Sequence, residues 1–70
     1  MKIILSYHAK KRVNERDIKM EEIIETIEMP DYTISKENKK EAYKKIGDRT
    51  LKVVHVIEDK YIKVVTLMWK

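Results

Sequence analysis

Seventy residues carrying 16 Lys and Arg against 12 Asp and Glu make one small basic domain of net charge +4. A chain this short buries only about 60% of its unfolded surface, so modest stability is expected. There is no Cys and there are only two His, which excludes disulfide staples and thiolate zinc sites and gives no reason to expect an oxidising compartment.

The opening "MKIIL" reads as a brief strand or as the apolar staple before a helix. It lacks the long apolar region and small-residue cleavage site of a signal peptide. No run is long enough to span a bilayer, so a soluble, cytoplasmic protein with no membrane partner is expected. Ser6 is a good N-cap, and Leu5, Ala9 and Val13 recur at helical spacing, which predicts a first helix over 7–16. A second helix is predicted over 20–28. It carries an apolar stripe of Met20, Ile23, Ile24 and Ile27, with Glu21 and Glu22 at the positive end of its dipole and Pro30 beyond its end. The short join between them implies a helical hairpin or a bent pair.

After Pro30 the apolar period changes from 3.6 to 2. "DYTIS", "EAYKKI", "LKVVHVI" and "YIKVVTLMW" read as strands separated by the turns "NKKE", "GDR" and "EDK". Connections this tight imply antiparallel pairing. The expected fold is α+β: an N-terminal helical pair packed on a three- to four-stranded antiparallel sheet, with residues 1–70 as one domain. A two-residue turn at Asp59-Lys60 would set Ile57 opposite Ile62, His55 opposite Val64, Val53 opposite Thr66 and Leu51 opposite Met68.

Charge is unevenly divided along the chain. Residues 1–20 hold six basic residues against two acids, residues 21–31 hold five acids and no base, and residues 32–70 hold ten bases against five acids. An anionic partner would meet the first helix and the later strands. His8, Arg12 and Arg16 follow one another at four-residue spacing beside the Ala9–Val13 stripe, on the border of core and solvent. The ordinary use of such residues is to lay their stems over apolar neighbours and keep their heads in water. Yet only three of the basic residues are Arg, and two share this row with a His, which favours bidentate recognition of phosphate or carboxylate. His8 could move a proton in phosphodiester cleavage. His55, among Val residues, reads as a strand-face histidine. Tyr43 with Lys44 and Lys45 forms a basic–aromatic patch suited to a phosphate and a stacked base, and Thr66 offers a hydroxyl. Lys and Tyr also mix on ordinary exposed strands.

"S-x-H-A-x-x-R-V-x-x-R-x-I", an acidic helix, "M-P-D", "Y-K-K-I-G" and a final "V-V-T-L" together resemble a family of small prokaryotic domains grouped with RelE-like and BrnT-like toxins. Those toxins share a fold with microbial ribonucleases. The resemblance runs from Ser6 to Thr66 and implies a toxin-like RNA-binding protein, in its sharpest form a metal-independent endoribonuclease without a cofactor. It assigns His8, Arg12 and Arg16 to the helix, Tyr43 and Lys45 to the strands and Thr66 to the last strand, and it implies an antitoxin partner. On these readings His8, Arg12, Arg16 and Tyr43 are the candidate catalytic residues, and Lys44, Lys45 and Thr66 the candidate RNA contacts. Two departures concern structure: Asp17 stands where Gly usually turns the chain, and Lys19 where Ser or Thr usually caps the second helix. The alternatives are a non-catalytic RNA- or protein-binding module, or a small interaction domain that forms a homodimer.

Overall fold

The computed structural model describes residues 2–70, so Met1 of the opening segment lies outside the described residues. Seven elements follow in order: β1 (Lys2–Leu5), α1 (Tyr7–Arg16), α2 (Met20–Glu28), β2 (Tyr32–Lys36), β3 (Lys39–Ile46), β4 (Arg49–Ile57) and β5 (Tyr61–Trp69). The fold is α+β. Both helices have the predicted bounds.

Local chemistry explains those bounds. Ser6 Oγ accepts from Ala9 N–H at 3.1 Å and its hydroxyl donates to Val65 O at 2.8 Å, which caps α1 and ties it to β5. Asp17 ends α1 in the left-handed conformation, φ 52° and ψ 52°, with its N–H donating to Val13 O. Lys19 has no side-chain acceptor, so only half of a capping box forms at α2: Glu22 Oε1 accepts from Lys19 N–H at 2.9 Å. The weak cap expected from Lys19 is therefore partly compensated by Glu22.

The sheet is five-stranded and mixed, in the order β1-β5-β4-β3-β2, which corrects the expected three or four antiparallel strands. The added strand is β1, parallel to β5 with Ile3 beside Ile62 and Leu5 beside Val64. A four-residue apolar run has too little periodicity to declare its partner, and this one lies almost the whole chain away. The turn between β2 and β3 is also tighter than expected. Lys36 pairs with Lys39 across Glu37 and Asn38, so Lys39 and Lys40 belong to β3 rather than to a turn.

The pairing of β4 with β5 holds as predicted at Ile57–Ile62 and His55–Val64, then shifts. A bulge between Val54 and His55 places Val53 opposite Leu67, Val54 opposite Thr66 and Leu51 opposite Trp69. The expected Val53–Thr66 and Leu51–Met68 pairs do not form, because one extra residue on β5 moves every later side chain to the other face. The shift turns Leu67 inward and Thr66 outward.

One face of the sheet carries both helices. Ala9 of α1, Ile18 of the join and Ile23 of α2 pack with Leu51, Val53, Val64 and Leu67. Burying each of the Ile, Leu and Val side chains contributes roughly 1.5–3 kcal/mol. α1 lies over β5 and β1 and α2 over β4 and β3, which leaves β2 outside the helical layer and the opposite face of the sheet without helices.

Candidate nucleic-acid interface

Alternation along β3 and β4 divides the candidate residues between the two faces. Lys44 is opposite the core residue Leu51, so it turns toward the helices; Tyr43 is opposite Lys52 and Lys45 opposite Thr50, so both turn away from them. Thr66, opposite Val54, shares the helix-free face. His8, Arg12 and Arg16 lie on α1, on the helical side. The seven candidate residues thus form two groups separated by the sheet.

The α1 group is a loose row. His8 is exposed, and Arg12 and Arg16 are half-buried. Tyr7 lies edge-on to the His8 ring at 6.2 Å. Arg12 Nη1 pairs with Glu15 Oε1 at 3.2 Å one turn along the helix, a solvent-exposed contact worth little on its own. The backbone carbonyl of Arg16 accepts from the Trp69 indole N–H at 3.1 Å, and the Arg49 guanidinium lies 4.2 Å from the Trp69 ring centroid. Trp69 therefore fastens the end of α1 to the last strand and covers the core there.

Lys44 serves the fold. Its ammonium donates to Met29 O at 2.9 Å and lies 3.8 Å from Glu25 and 3.9 Å from Asp31. A cation against the last carbonyls of α2 satisfies orphan acceptors and opposes the negative end of the dipole. The same Asp31 accepts from the Lys45 backbone N–H at 2.7 Å, which leaves the Lys45 side chain exposed.

On the helix-free face, Tyr32 of β2 lies flat on Tyr43 of β3, with ring centroids 4.6 Å apart and planes 11° apart. The ammonium groups of Lys52 and Lys70 lie 5.8 and 5.6 Å from the Tyr43 ring centroid. Tyr43 OH donates to Glu41 at 3.2 Å. The Glu41 carboxylate also faces Lys52 at 3.7 Å and Lys36 at 4.0 Å, so it offsets part of the local positive charge. Tyr43 is only 5% exposed while Tyr32 is 55% exposed. The aromatic surface available to a ligand therefore belongs to Tyr32, with Tyr43 as its support.

Tyr32, Lys52 and Lys70 went unseen as site residues in the sequence. Counting back from the Lys36–Lys39 pair would have brought Tyr32 opposite Tyr43, but that count requires the turn to be fixed at Glu37-Asn38. His55 is 4% exposed on the helical side, as its setting among Val residues predicted. Burial lowers its pKa below the usual histidine value, and the nearby Lys40 acts in the same direction. A contact from its Nδ1 to Val53 O at 3.4 Å opposes them.

Among the described residues, no helix is long and apolar enough to cross a membrane. No curated protein and no solved structure matches the chain. A family model described as a domain of unknown function, DUF4258, matches residues 5–69, from the last residue of β1 to the end of β5, and the chain belongs to that family.

Proposed function

We propose that this domain binds single-stranded RNA on the helix-free face of its sheet. The observation that carries the reading is the Tyr32–Tyr43 stack with Lys52 and Lys70 at its flank. A base has a π-face whatever its sequence, so an exposed, supported ring can stack one base while neighbouring ammonium groups hold the adjoining phosphates. Lys45 extends the cationic side of the face, and Thr66 lies on it as a hydroxyl that can reach a phosphate oxygen. The net charge of +4 gives the domain a long-range pull toward a polyanion.

The test is titration of a labelled single-stranded RNA at several salt concentrations, followed by fluorescence anisotropy. Affinity should fall with salt, because each phosphate contact releases counterions. Tyr32→Ala should cost about 1–3 kcal/mol of binding. Binding that ignores salt, or that Tyr32→Ala and Lys52→Ala leave unchanged, defeats the reading.

The toxin-like endoribonuclease is the second reading, favoured by the exposed imidazole of His8 in a row with Arg12 and Arg16. In that reaction a ribose 2′-OH attacks the adjacent phosphate as the bond from phosphorus to the 5′-oxygen breaks, leaving a 2′,3′-cyclic phosphate and a 5′-hydroxyl. His8 takes the proton from the 2′-OH or gives one to the 5′-oxygen, water makes the other transfer, and the guanidinium groups stabilise the added negative charge. Tyr43 plays no direct part in this version, since its hydroxyl is held by Glu41 on the other face. An antitoxin, in this reading, would cover the basic surface. EDTA-resistant cleavage of RNA that His8→Ala abolishes would establish it; equal cleavage by the variant would end it.

A further inference from the structure

We infer that β2 is a self-complementary edge through which two copies of the chain join their sheets. β2 ends the strand order, and all five of its residues are exposed. Alternate residues of such a strand turn backbone N–H and C=O groups outward, a template for another strand. Proteins that keep an edge free usually interrupt it with Pro, a bulge or an inward charge. Here Pro30 precedes the strand without entering it, and the only charge within β2 is Lys36 at its end. The other edge, β1, has four residues against five and begins with Lys2.

Part of the exposed apolar surface lies at the same edge. Met29 is 67%, Tyr32 55% and Ile34 39% exposed, so three large apolar side chains cluster within or just before β2.

The strand also matches itself. Antiparallel pairing about a two-fold axis through Ile34 sets Ile34 against its copy, Tyr32 against Lys36 and Thr33 against Ser35. Tyr32 and Lys36 share the helix-free face, so the ammonium of one copy meets the ring of the other, in competition with a base stacked there, and no like charges face each other within the strand. Asp31 would come opposite Glu37 beyond the strand ends, where Asp31 already accepts from Lys45 N–H and lies near Lys44. The result is one ten-stranded sheet, twice the five strands of the chain. Five residues form a short seam compared with the roughly 1,200–2,000 Å² of a standard interface, so association is weak and depends on concentration.

Analytical ultracentrifugation of the whole chain without RNA tests the inference independently of the RNA-binding reading. The mass should rise from 8.5 kDa toward twice that value with concentration. Ile34→Lys should stay monomeric with an unchanged circular dichroism spectrum, and mixing it with Ile34→Glu should restore the dimer. Since the chain has no Cys, Ile34→Cys with an added thiol oxidant should cross-link readily, while Lys36→Cys should not. A wild type that stays monomeric up to its solubility limit overturns the inference, as does an Ile34→Cys that cross-links no better than Lys36→Cys. A dimer that Ile34→Lys leaves intact overturns it too.

Discussion

Tyr32 and Tyr43, eleven residues apart in sequence, stack at 4.6 Å because the Glu37-Asn38 turn brings β2 back along β3 in a register that sets one opposite the other. Stacked aromatic pairs contribute about 0.5–1.5 kcal/mol beyond their buried area. Tyr32→Ala should therefore lower stability by about that amount while also weakening RNA binding. Tyr32→Phe keeps the ring and should retain both properties. Urea unfolding alongside RNA titration checks the pair of variants, and a Tyr32→Phe that binds as poorly as Tyr32→Ala would mean that the hydroxyl, and not stacking, holds the ligand.

Adjacent lysines should behave in opposite ways. Lys44 is tied to Met29 O, Glu25 and Asp31 beneath the sheet, whereas the Lys45 side chain is exposed above it. Lys44→Met should destabilise the fold by about 1–2 kcal/mol, the scale for a charged hydrogen bond lost at a partly covered site, and should leave the salt dependence of RNA binding nearly unchanged. Lys45→Ala should leave stability within about 0.5 kcal/mol and lower the salt slope by a little under one.

How far the sequence could be read depended on the distance over which each feature is decided. Helix bounds rest on neighbours: Ser6, Asp17 and Pro30 lie within a turn of the ends they fix, and both helices were legible. The hairpin at Asp59-Lys60 was legible for the same reason, and its register held as far as His55. The bulge that follows was not, because nothing in "KVVTLM" marks which residue will be the extra one. Its consequence was large, since it exchanges the faces of Thr66 and Leu67. Likewise "KIIL" could not declare a parallel partner at the other end of the chain. Arg12 and Arg16 were correctly placed at the border of core and solvent while His8 is fully on the solvent side, and the separation of all three from Tyr43 depends on which sheet face the helices cover, a matter of tertiary packing.

Asp17 offers a direct test of a local conflict. A residue with a Cβ in the left-handed region is disfavoured by roughly 1–2 kcal/mol relative to its ordinary conformations, less for Asp than for most. Asp17 holds φ 52° at the C-terminal end of α1, where its negative charge also opposes the helix dipole. Asp17→Gly should raise stability by up to about 1 kcal/mol, a shift of about 4–8 °C in Tm for a domain of this size. Asp17→Ala should lower stability. A thermal melt in which Gly is no better than Ala would show that the Asp side chain contributes a compensating interaction at the turn.

His55 should make the fold sensitive to mild acid. It is buried on the helical side opposite Lys40 and Val64, and burial with the neighbouring ammonium lowers its pKa below 6.5. The unfolded chain then binds the proton more readily than the folded one. Above 6.5 both states are neutral at this site and stability is at its full value; as the pH falls below 6.5 the unfolded state gains the proton first and stability declines, until the folded pKa is passed. The sign is set by the lowered pKa, because a raised one would make the fold more stable in acid. Urea unfolding at about pH 8 and about pH 5.5, a window that stays above the ordinary range of carboxylates, should show the wild type losing stability toward acid. His55→Gln removes the titrating group, so its own stability, whatever its level, should change much less between the two pH values. An equal loss in wild type and variant would assign the acid sensitivity to other groups.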